Sequence, residues 1–277
     1  MDFTLTKYQE LLSALLGQGY SFQTLEQFIN NPLEKVVVLR HDVDRLPGNA
    51  LKMARLEHGM GIQATYYFRS VSESFDPKIM EGIAGMGHEI GYHYENVESV
   101  VSDHWSVGEK QSAWRKAVSV KRKVERENII DLGYEDFCRN LDRFRKKFDV
   151  QTICMHGSPL SSYDNRLIWE KYDYKKLGII AEPYFDIDYK KVFYITDTGR
   201  KWNDKISSVR DRVESGLDIP IKNTKHLIEM VCQNNLPAKI MINVHPQRWH
   251  DHAWPWVKEL VGQNVKNVVK KFIVRKQ

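Results

Sequence analysis

Acidic and histidine side chains follow four separate apolar segments of the sequence. The four clusters read Arg40-His41-Asp42-Val43-Asp44, His93-Tyr94-Glu95-Asn96, His156-Gly157-Ser158-Pro159 and His245-Pro246-Gln247-Arg248-Trp249. Carboxylates and imidazoles are side chains that bind divalent metals and that accept or donate protons near neutral pH. Together the clusters predict a metal-binding site with acid–base chemistry, provided that the fold brings them to one place.

Asp42 and Asp44 are carboxylates only two residues apart. In an extended strand, residues two apart point to the same side. Two carboxylates at that separation repel each other unless a cation lies between them or one of them is protonated. A bound metal that takes one carboxylate leaves the other to act as a base. The alternative is that Asp44 caps the helix predicted to begin near Pro47, while Asp42 still faces the site.

The histidines differ in their spacing to the other candidate ligands. His93 and Glu95 are two apart and can face one ion, whereas His88 is five residues before His93 and falls on the other face of a strand. We therefore expect His88 to lie in the turn before the strand. His156 is a further candidate ligand, with a hydrogen-bonded histidine of the core as the alternative. Sites of His, Asp and Glu with an open position are typical of catalytic zinc or iron, whereas structural zinc sites usually contain cysteine pairs.

These clusters need elements that carry them to one place, and the sequence predicts seven strands that alternate with helices. The strand segments are apolar and rich in β-branched or aromatic residues, and they cover residues 35–40, 62–69, 88–93, 150–156, 177–181, 192–196 and 239–245. The helical segments cover residues 47–60, 77–86, 105–128, 134–147, 222–234 and 254–270. Several strand segments are apolar on both faces, which is typical of buried parallel strands.

Alternating strands and helices indicate a parallel sheet with helical crossovers. Seven strands, one fewer than in a closed barrel of this kind, predict an α/β fold of the incomplete (β/α)7 barrel type, with a doubly wound open sheet as the alternative. We expect a single domain over residues 1–277, with a helical lead-in at 1–32 and a helical insertion at 97–148 between the third and fourth strands. Active sites of barrels form at the carboxyl ends of the strands, which is where the four clusters lie.

The chain lacks the sequence features of secreted, membrane-spanning and disulfide-rich proteins. Its three cysteines are widely spaced, its first residues are polar where a signal peptide would be basic and then apolar, and no segment has the roughly 20 apolar residues of a membrane span. The net charge of +5 is accompanied by basic segments at 116–126 and 270–276. We interpret these as solvated surface rather than as contacts with nucleic acid or an anionic lipid-linked substrate. These features predict a cytoplasmic protein.

Four segments resemble motifs of the polysaccharide deacetylases, the NodB homology superfamily that includes the family-four carbohydrate esterases. Gly87-His88-Glu89-Ile90-Gly91-Tyr92-His93 resembles the family's GHEIGxH segment, and Asp42-Val43-Asp44 resembles its Asp-x-Asp motif. Asn243-Val244-His245-Pro246 is similar to its last motif, and residues 197–202 (DTGRKW) are loosely similar to the motif that supplies a tryptophan to the pocket wall. The similarity extends from residue 35 to residue 249 and follows the family's motif order.

The resemblance implies a role for each matching residue. It implies that Asp42 is the catalytic base and that His245 is the general acid. It implies that Asp44 and His93 bind the metal and that Trp202 lines the pocket. It also implies the barrel fold that the strand pattern predicts.

The sequence departs from the family at two motifs, which indicates a divergent branch. The family has a second histidine four residues after the first, where this chain has Val97, and the arginine–proline motif of the fourth strand is replaced by residues 156–159 (HGSP). The third metal ligand is therefore open between His156, which we favour, and Glu95. Arg40 lies on the same strand face as the expected base and can replace the missing arginine by keeping that base ionised.

These features predict a metal-dependent hydrolase that removes an acetyl group from an N-acetylated sugar or saccharide precursor. One divalent metal ion is the expected cofactor, with zinc favoured over iron, nickel and cobalt. A nucleotide-linked or lipid-linked sugar is the expected substrate, because no secretion signal points to finished cell-wall polymer. The alternative is a catalytically decayed carbohydrate-binding protein of the same fold.

Four further residues are expected to support the site or its substrate. Trp202 and Trp249 are expected either to offer an apolar ring face to a sugar or to pack at the barrel rim. Arg248 belongs to the same cluster as Trp249 and is expected to assist there. Ser158 is expected to form a loop hydrogen bond, because no GxSxG segment marks it as a nucleophile.

Overall fold

The computed structural model contains, in the part of the chain that it describes, one parallel sheet of seven strands flanked by helices. It describes residues 1–106, 120–157, 163–203, 213 and 219–274, and the side chains of these except for 102–106, 120–127 and 269–274. The strands are β1 (Ser21–Gln23), β2 (Val36–Val43), β3 (Thr65–Phe68), β4 (Glu89–Tyr94), β5 (Ile153–Met155), β6 (Phe193–Thr196) and β7 (Lys239–Val244).

The helices cover the faces and ends of this sheet. They are α1 (Leu5–Gly17), α2 (Leu25–Asn30), α3 (Pro47–Gly59), α4 (Pro77–Ala84), α5 (Asn96–Ser106), α6 (Val120–Arg145), α7 (Pro183–Asp186), α8 (Thr224–Cys232) and α9 (Ala253–Val274). Short 3-10 helices cover Asn165–Glu170, Tyr174–Leu177 and Pro246–Arg248. No helix in the described part of the chain is long and apolar enough to cross a membrane.

The sheet curls into a half-barrel with the strand order β5-β4-β3-β2-β7-β6. All of these pairings are parallel. Strand β1 also pairs in parallel with β2, at the first residues of β2, whereas β3 pairs with the last residues of β2. The α/β class and the incomplete barrel predicted from the sequence are therefore confirmed. The helical insertion between β4 and β5 is also confirmed by α5 and α6.

Two strand predictions were wrong. Ser21–Gln23 forms β1 within the lead-in that we expected to be helical, and its three residues are too few to show a period in the sequence. Residues 177–181 do not form a strand: Tyr174–Leu177 is a 3-10 helix that ends at Gly178, whose φ of 73° turns the chain. The rest of that segment contributes only the single bridge between Ala181 and Thr152.

The predicted break near residues 129–133 is also absent, because α6 continues through Gly133 to Arg145. A Cβ atom at Gly133 would lie 3.3 Å from Val97 Cγ2 and 3.6 Å from the side chain of Ile168. The glycine therefore allows α6 to approach the start of α5 closely. Val97, at the position of the family's second histidine, is buried in this apolar contact and does not face the candidate site.

Alternation along β2 separates the core from the barrel interior. Val37, Leu39 and Val43 belong to the main apolar core, which lies between the sheet and the surrounding helices. Val36 and Val38 face the other side and belong to a smaller cluster inside the half-barrel. Arg40 and Asp42 continue this inward-facing row, so β2 changes from apolar to charged as it approaches its carboxyl end.

The barrel interior is narrow at β4. Gly91 lies beside the ring of Tyr67, and a Cβ atom at this position would lie 2.3 Å from that ring. Only glycine leaves room for the buried tyrosine, which explains physically why the GHEIGYH segment has a glycine two residues before His93.

A second polar group is buried on the outer side of the sheet. The carboxylate of Glu57 in α3 accepts hydrogen bonds from Tyr8 at 2.6 Å and from Tyr66 at 2.8 Å, and it lies 2.8 Å from His41 Nε2. His88 lies 3.8 Å from the same carboxylate, and its ring bonds to backbone groups at 3.0 and 3.2 Å. As expected, His88 lies before β4 and outside the candidate site.

Candidate active site

Arg40 and Asp42 form an ion pair inside the half-barrel, near the carboxyl end of β2. Arg40 Nε and Nη2 donate to the two carboxylate oxygens of Asp42, at 2.8 and 2.7 Å. Asn243 in β7 donates a third hydrogen bond to Asp42 Oδ2 at 2.9 Å. The three groups meet because residues 40 and 42 share a strand face and because parallel pairing sets Arg40 beside Asn243.

This environment fixes the charge of Asp42. Burial by itself would raise the pKa of Asp42, but Arg40 and His93 outweigh burial and hold the pKa well below its usual range. The carboxylate is therefore ionised near neutral pH. This geometry matches the expectation that Arg40 keeps Asp42 charged.

Asp44, His93 and His156 bring three potential ligand atoms together beside this ion pair. Asp44 Oδ1 lies 3.5 Å from His93 Nε2 and 3.2 Å from His156 Nδ1, and the two imidazole nitrogens are 3.2 Å apart. The three residues could hold one metal ion. They converge because β2, β4 and β5 run parallel and end at the same edge of the sheet.

Contacts outside this group orient its ligand atoms. His93 Nδ1 lies 2.9 Å from the carbonyl oxygen of Cys154, and a proton on Nδ1 leaves the lone pair of Nε2 facing Asp44. Gln247 donates to Asp44 Oδ2 at 2.8 Å, which orients Oδ1 towards the imidazoles. Hydrogen bonds of this kind commonly orient metal ligands in proteins.

Asp44 Oδ1 fits a bound cation. This oxygen is buried and, among the described residues, accepts no hydrogen bond. Burial by itself would raise the pKa of Asp44, but the nearby histidines, His156 above all, outweigh burial. The pKa of Asp44 therefore lies well below its usual range. A buried, ionised oxygen without a hydrogen bond is costly, and a cation shared with His93 and His156 would remove that cost. One carboxylate and two imidazoles also form a donor set that suits zinc.

Glu95, the other candidate for the third ligand, is paired elsewhere. Arg69 Nε and Nη2 donate to its two oxygens at 3.0 and 2.6 Å. Glu95 Oε2 lies 3.8 Å from His156 Nε2, the ring nitrogen that does not face Asp44. The structure therefore places His156 in the group with Asp44, and it places Glu95 behind the imidazole.

Cys154 provides a second arrangement, since Asp42, His93 and Cys154 also lie close enough to hold an ion. The carboxylate of Asp42 is already bound by Arg40 and Asn243. Cys154 is buried among the apolar residues of the barrel interior. We therefore favour the group built on Asp44, whose Oδ1 accepts no hydrogen bond within the described part of the chain.

His245 lies on the opposite side of the site, directly after β7, and is paired with Asp197. His245 Nδ1 lies 2.6 Å from Asp197 Oδ1, and the backbone N–H of His245 lies 3.1 Å from Asp197 Oδ2. A proton on Nδ1 leaves Nε2 available to a substrate. His245 also contributes to the lowered pKa values of Asp42 and Asp44.

Asp197 is a site residue to which the sequence assigned no role. It is buried and accepts hydrogen bonds from Arg248 at 2.7 Å and from Trp249 Nε1 at 2.8 Å, besides those from His245. Burial raises the pKa of Asp197, but Arg248 and His245 lower it, and the net shift is downward. The sequence does contain a feature that could have identified Asp197 as a site residue. It directly follows the apolar segment of β6 and is the first residue of the DTGRKW segment.

The two tryptophans pack at the rim. Trp202 and Trp249 are both buried, and both contact Phe3, with ring centroids 5.9 and 5.1 Å apart. Trp202 Nε1 donates to Thr224 at 3.0 Å. The expectation of a tryptophan face for a sugar is therefore not met, and the rim-packing alternative describes both rings. Ser158 lies outside the described residues.

The arrangement can bind a cation, hold an ionised carboxylate beside it, and present an imidazole from the other side. It is built from side chains at the ends of β2, β4, β5 and β7, with Asp197 from β6 behind the imidazole. The chain matches no protein-family model, and it shows no significant similarity to a curated protein.

Proposed function

We propose that the protein is a metal-dependent amide hydrolase that deacetylates an N-acetylated sugar or saccharide precursor, as a divergent polysaccharide deacetylase. The observation that carries this proposal is the group of Asp44, His93 and His156, which lies beside the ionised Asp42 and faces the paired His245. A site that held only a structural metal would not need the carboxylate of Asp42 and the imidazole of His245 beside it.

The residues of the site divide the work of amide hydrolysis. A divalent cation held by Asp44, His93 and His156 would lower the pKa of a water molecule and polarise the acyl carbonyl. Asp42 accepts a proton from the attacking water, and Arg40 keeps it ionised and oriented for that purpose.

His245 donates the second proton. The leaving amine must be protonated as the carbon–nitrogen bond breaks, and an imidazole is suited to this near neutral pH. Asp197 pairs with Nδ1, which leaves Nε2 as the ring nitrogen that can act on a substrate. Arg248 and Trp249 in turn hold Asp197, so they act through it and not on the substrate.

Metal content tests the first half of the proposal. The purified protein should contain about one divalent ion per chain, with zinc favoured. His93→Ala and Asp44→Asn should lose that ion, whereas His226→Ala, which changes a half-buried histidine of α8 outside this group, should keep it. Asp44→Asn preserves the side-chain shape, so loss of metal with an unchanged circular dichroism spectrum would assign the ligand. Full occupancy in both ligand variants would contradict the site.

Acetate release tests the second half. The metal-loaded protein should release acetate from at least one member of a panel of free, nucleotide-linked and lipid-linked N-acetyl sugars. Asp42→Asn and His245→Ala should keep the metal and lose activity by roughly two to four orders of magnitude each. If the wild-type protein bound metal and saccharide but released no acetate, the carbohydrate-binding alternative would replace the hydrolase.

A further inference from the structure

Helix α9 carries an apolar stripe on its outer side. Trp254 is 76% exposed, Val261 is 56% exposed and Val265 is 59% exposed. Val257 and Val268 are exposed as well and lie on the same side of the helix, at intervals of three or four residues. Such intervals normally mark the face that a helix turns towards the core.

The inner side of α9 is polar instead. Glu259, Gln263 and Asn267 follow one another at intervals of four and are all buried. Glu259 pairs with Arg45 at 2.5 Å, and Asn267 donates to the carbonyl oxygen of Gly199 at 2.9 Å. These contacts fix the orientation of the helix, so the apolar side cannot turn inwards without breaking them.

The charges of α9 indicate what covers the stripe. Within Ala253–Val274 the sequence has four lysines, Lys258, Lys266, Lys270 and Lys271, and one acidic residue, Glu259, which is buried in its pair with Arg45. Lys258 and Lys266 are exposed beside the valines. An apolar row with cations beside it and a tryptophan at one end matches the interface of a membrane, where rings lie at the headgroups and lysines attract anionic lipids.

We propose that the outer face of α9 docks on a membrane surface that contains anionic lipids. A second copy of the chain would bring two rows of lysines together without an exposed acidic partner on the helix. A bilayer instead accepts the valines and Trp254 below its headgroups and pairs the lysines with phosphate.

Docking would bring the loop that follows Asp197 to within one helix diameter of the lipid, which is about 10 Å. Asn267 holds Gly199, and Arg200 donates to the backbone carbonyl of Trp256 at 3.1 Å. Both loop residues follow closely after Asp197, which holds His245. This juxtaposition favours a lipid-linked saccharide over a nucleotide-linked one, a conclusion that rests on the proposed function, whereas the docking does not.

Vesicle sedimentation of the full chain tests the docking directly. The protein should bind vesicles with roughly 30 mol% phosphatidylglycerol in phosphatidylcholine, should bind pure phosphatidylcholine more weakly, and should dissociate as salt rises from about 0.1 to about 0.5 M. Val261→Asp with Val265→Asp should reduce binding about tenfold or more. Leu33→Asp, which changes an exposed leucine just before the amino end of β2, is the matched control and should leave binding unchanged.

Other results would overturn the proposal. Failure of the wild-type protein to bind anionic vesicles, or equal binding by the double aspartate variant, would show that the face does not meet lipid. A dimer in analytical ultracentrifugation that the double variant converts to a monomer would assign the face to a second copy. Metal content and acetate release from a soluble N-acetyl sugar should be the same in the double variant and the wild type, so failure of docking and failure of the enzyme proposal remain distinguishable.

Discussion

Arg40 and Asp42 show how two residues of one strand can prepare a site. Each side chain would be costly to bury alone, and together they form a bidentate pair with a third hydrogen bond from Asn243. The planar guanidinium matches both carboxylate oxygens, a geometry that lysine cannot reproduce. The pair therefore keeps Asp42 both charged and fixed in orientation.

We predict that Arg40→Met destabilises the protein strongly. The substitution leaves the charge of Asp42 buried without its main partner, so the free energy of unfolding should fall by about 3–5 kcal/mol in denaturant titration. The free energy of unfolding of Arg40→Lys should lie between the values of the wild type and Arg40→Met. The double variant Arg40→Met with Asp42→Leu should recover most of the stability but no acetate release. A single Arg40→Met variant as stable as the wild type would show that the pair does not hold this part of the barrel.

At the scale of elements, the contact between α5 and α6 explains why an apolar residue occupies position 97. Val97 lies in the first turn of α5, buried against Gly133 of α6. A polar imidazole there would enter an apolar contact without a partner. The group that could hold a metal includes His156, the residue that follows β5.

We predict opposite effects for alanine at two helical glycines. At Gly262 in α9 a Cβ would have no neighbour within 4 Å, so Gly262→Ala should stabilise the protein by about 0.5–1 kcal/mol through helix propensity. At Gly133 the same gain is opposed by crowding against Val97 and Ile168, and overpacking typically costs about 1–3 kcal/mol. Gly133→Ala should therefore lower the thermal midpoint and Gly262→Ala should raise it. If scanning calorimetry gave equal shifts of the thermal midpoint for both variants, the α5–α6 contact would accommodate the added methyl group without cost.

At the scale of the whole molecule, the buried carboxylate of Glu57 joins the lead-in to the barrel. Tyr8 comes from α1, Glu57 from α3, and His41 and Tyr66 from neighbouring strands. His41 lies between Arg40 and Asp42 and faces the opposite side of the sheet. The residue row that faces outwards is thus fixed by this cluster, while the row that faces inwards forms the candidate site.

We predict that Glu57→Gln lowers the free energy of unfolding by about 1.5–3 kcal/mol at pH 7, because it weakens the buried hydrogen bonds that Tyr8 and Tyr66 donate to a charged carboxylate. Burial raises the pKa of Glu57, but His41 and His88 lower it, and the net shift is downward. A carboxyl with a lower pKa in the folded state adds stability above its unfolded pKa and loses it as the pH falls through the folded pKa. The difference between the variant and the wild type should therefore shrink below about pH 4.

Glu81→Gln is the control for this prediction. Glu81 is exposed and pairs with Lys147 at the surface, where such pairs contribute at most about 1 kcal/mol. Denaturant titrations at several pH values measure both variants. If Glu57→Gln and Glu81→Gln had similar small effects, the buried cluster would not join the lead-in to the sheet.

The sequence by itself determined the fold class and the edge of the sheet at which polar residues gather. The apolar segments that form β2 and β4 place Asp42 and His93 near strand ends, and parallel strands bring their carboxyl ends to one edge. The spacing of Arg40 and Asp42 also predicted their common face, which the ion pair confirms. These inferences succeeded because they depend only on local geometry and on the direction of the strands.

Tertiary structure alone decided which of these residues meet. The sequence favoured His156 over Glu95 as the third ligand but left both open. In the structure, Arg69 binds Glu95, and His156 faces Asp44. Asp197 is 48 residues from His245, and no sequence period relates them. Distances of this kind depend on crossovers and on neighbouring side chains, which local patterns do not encode.

The orientation of α9 is a further decision of the tertiary structure. Apolar residues at intervals of three or four along a helix usually face the core. In α9, however, Glu259 and Asn267 are held by Arg45 and Gly199 on the loops at the edge of the sheet. Hydrogen bonds to buried polar groups therefore set which side faces inwards, and the valines face outwards. The sequence contains the stripe, and only the folded loops determine where it points.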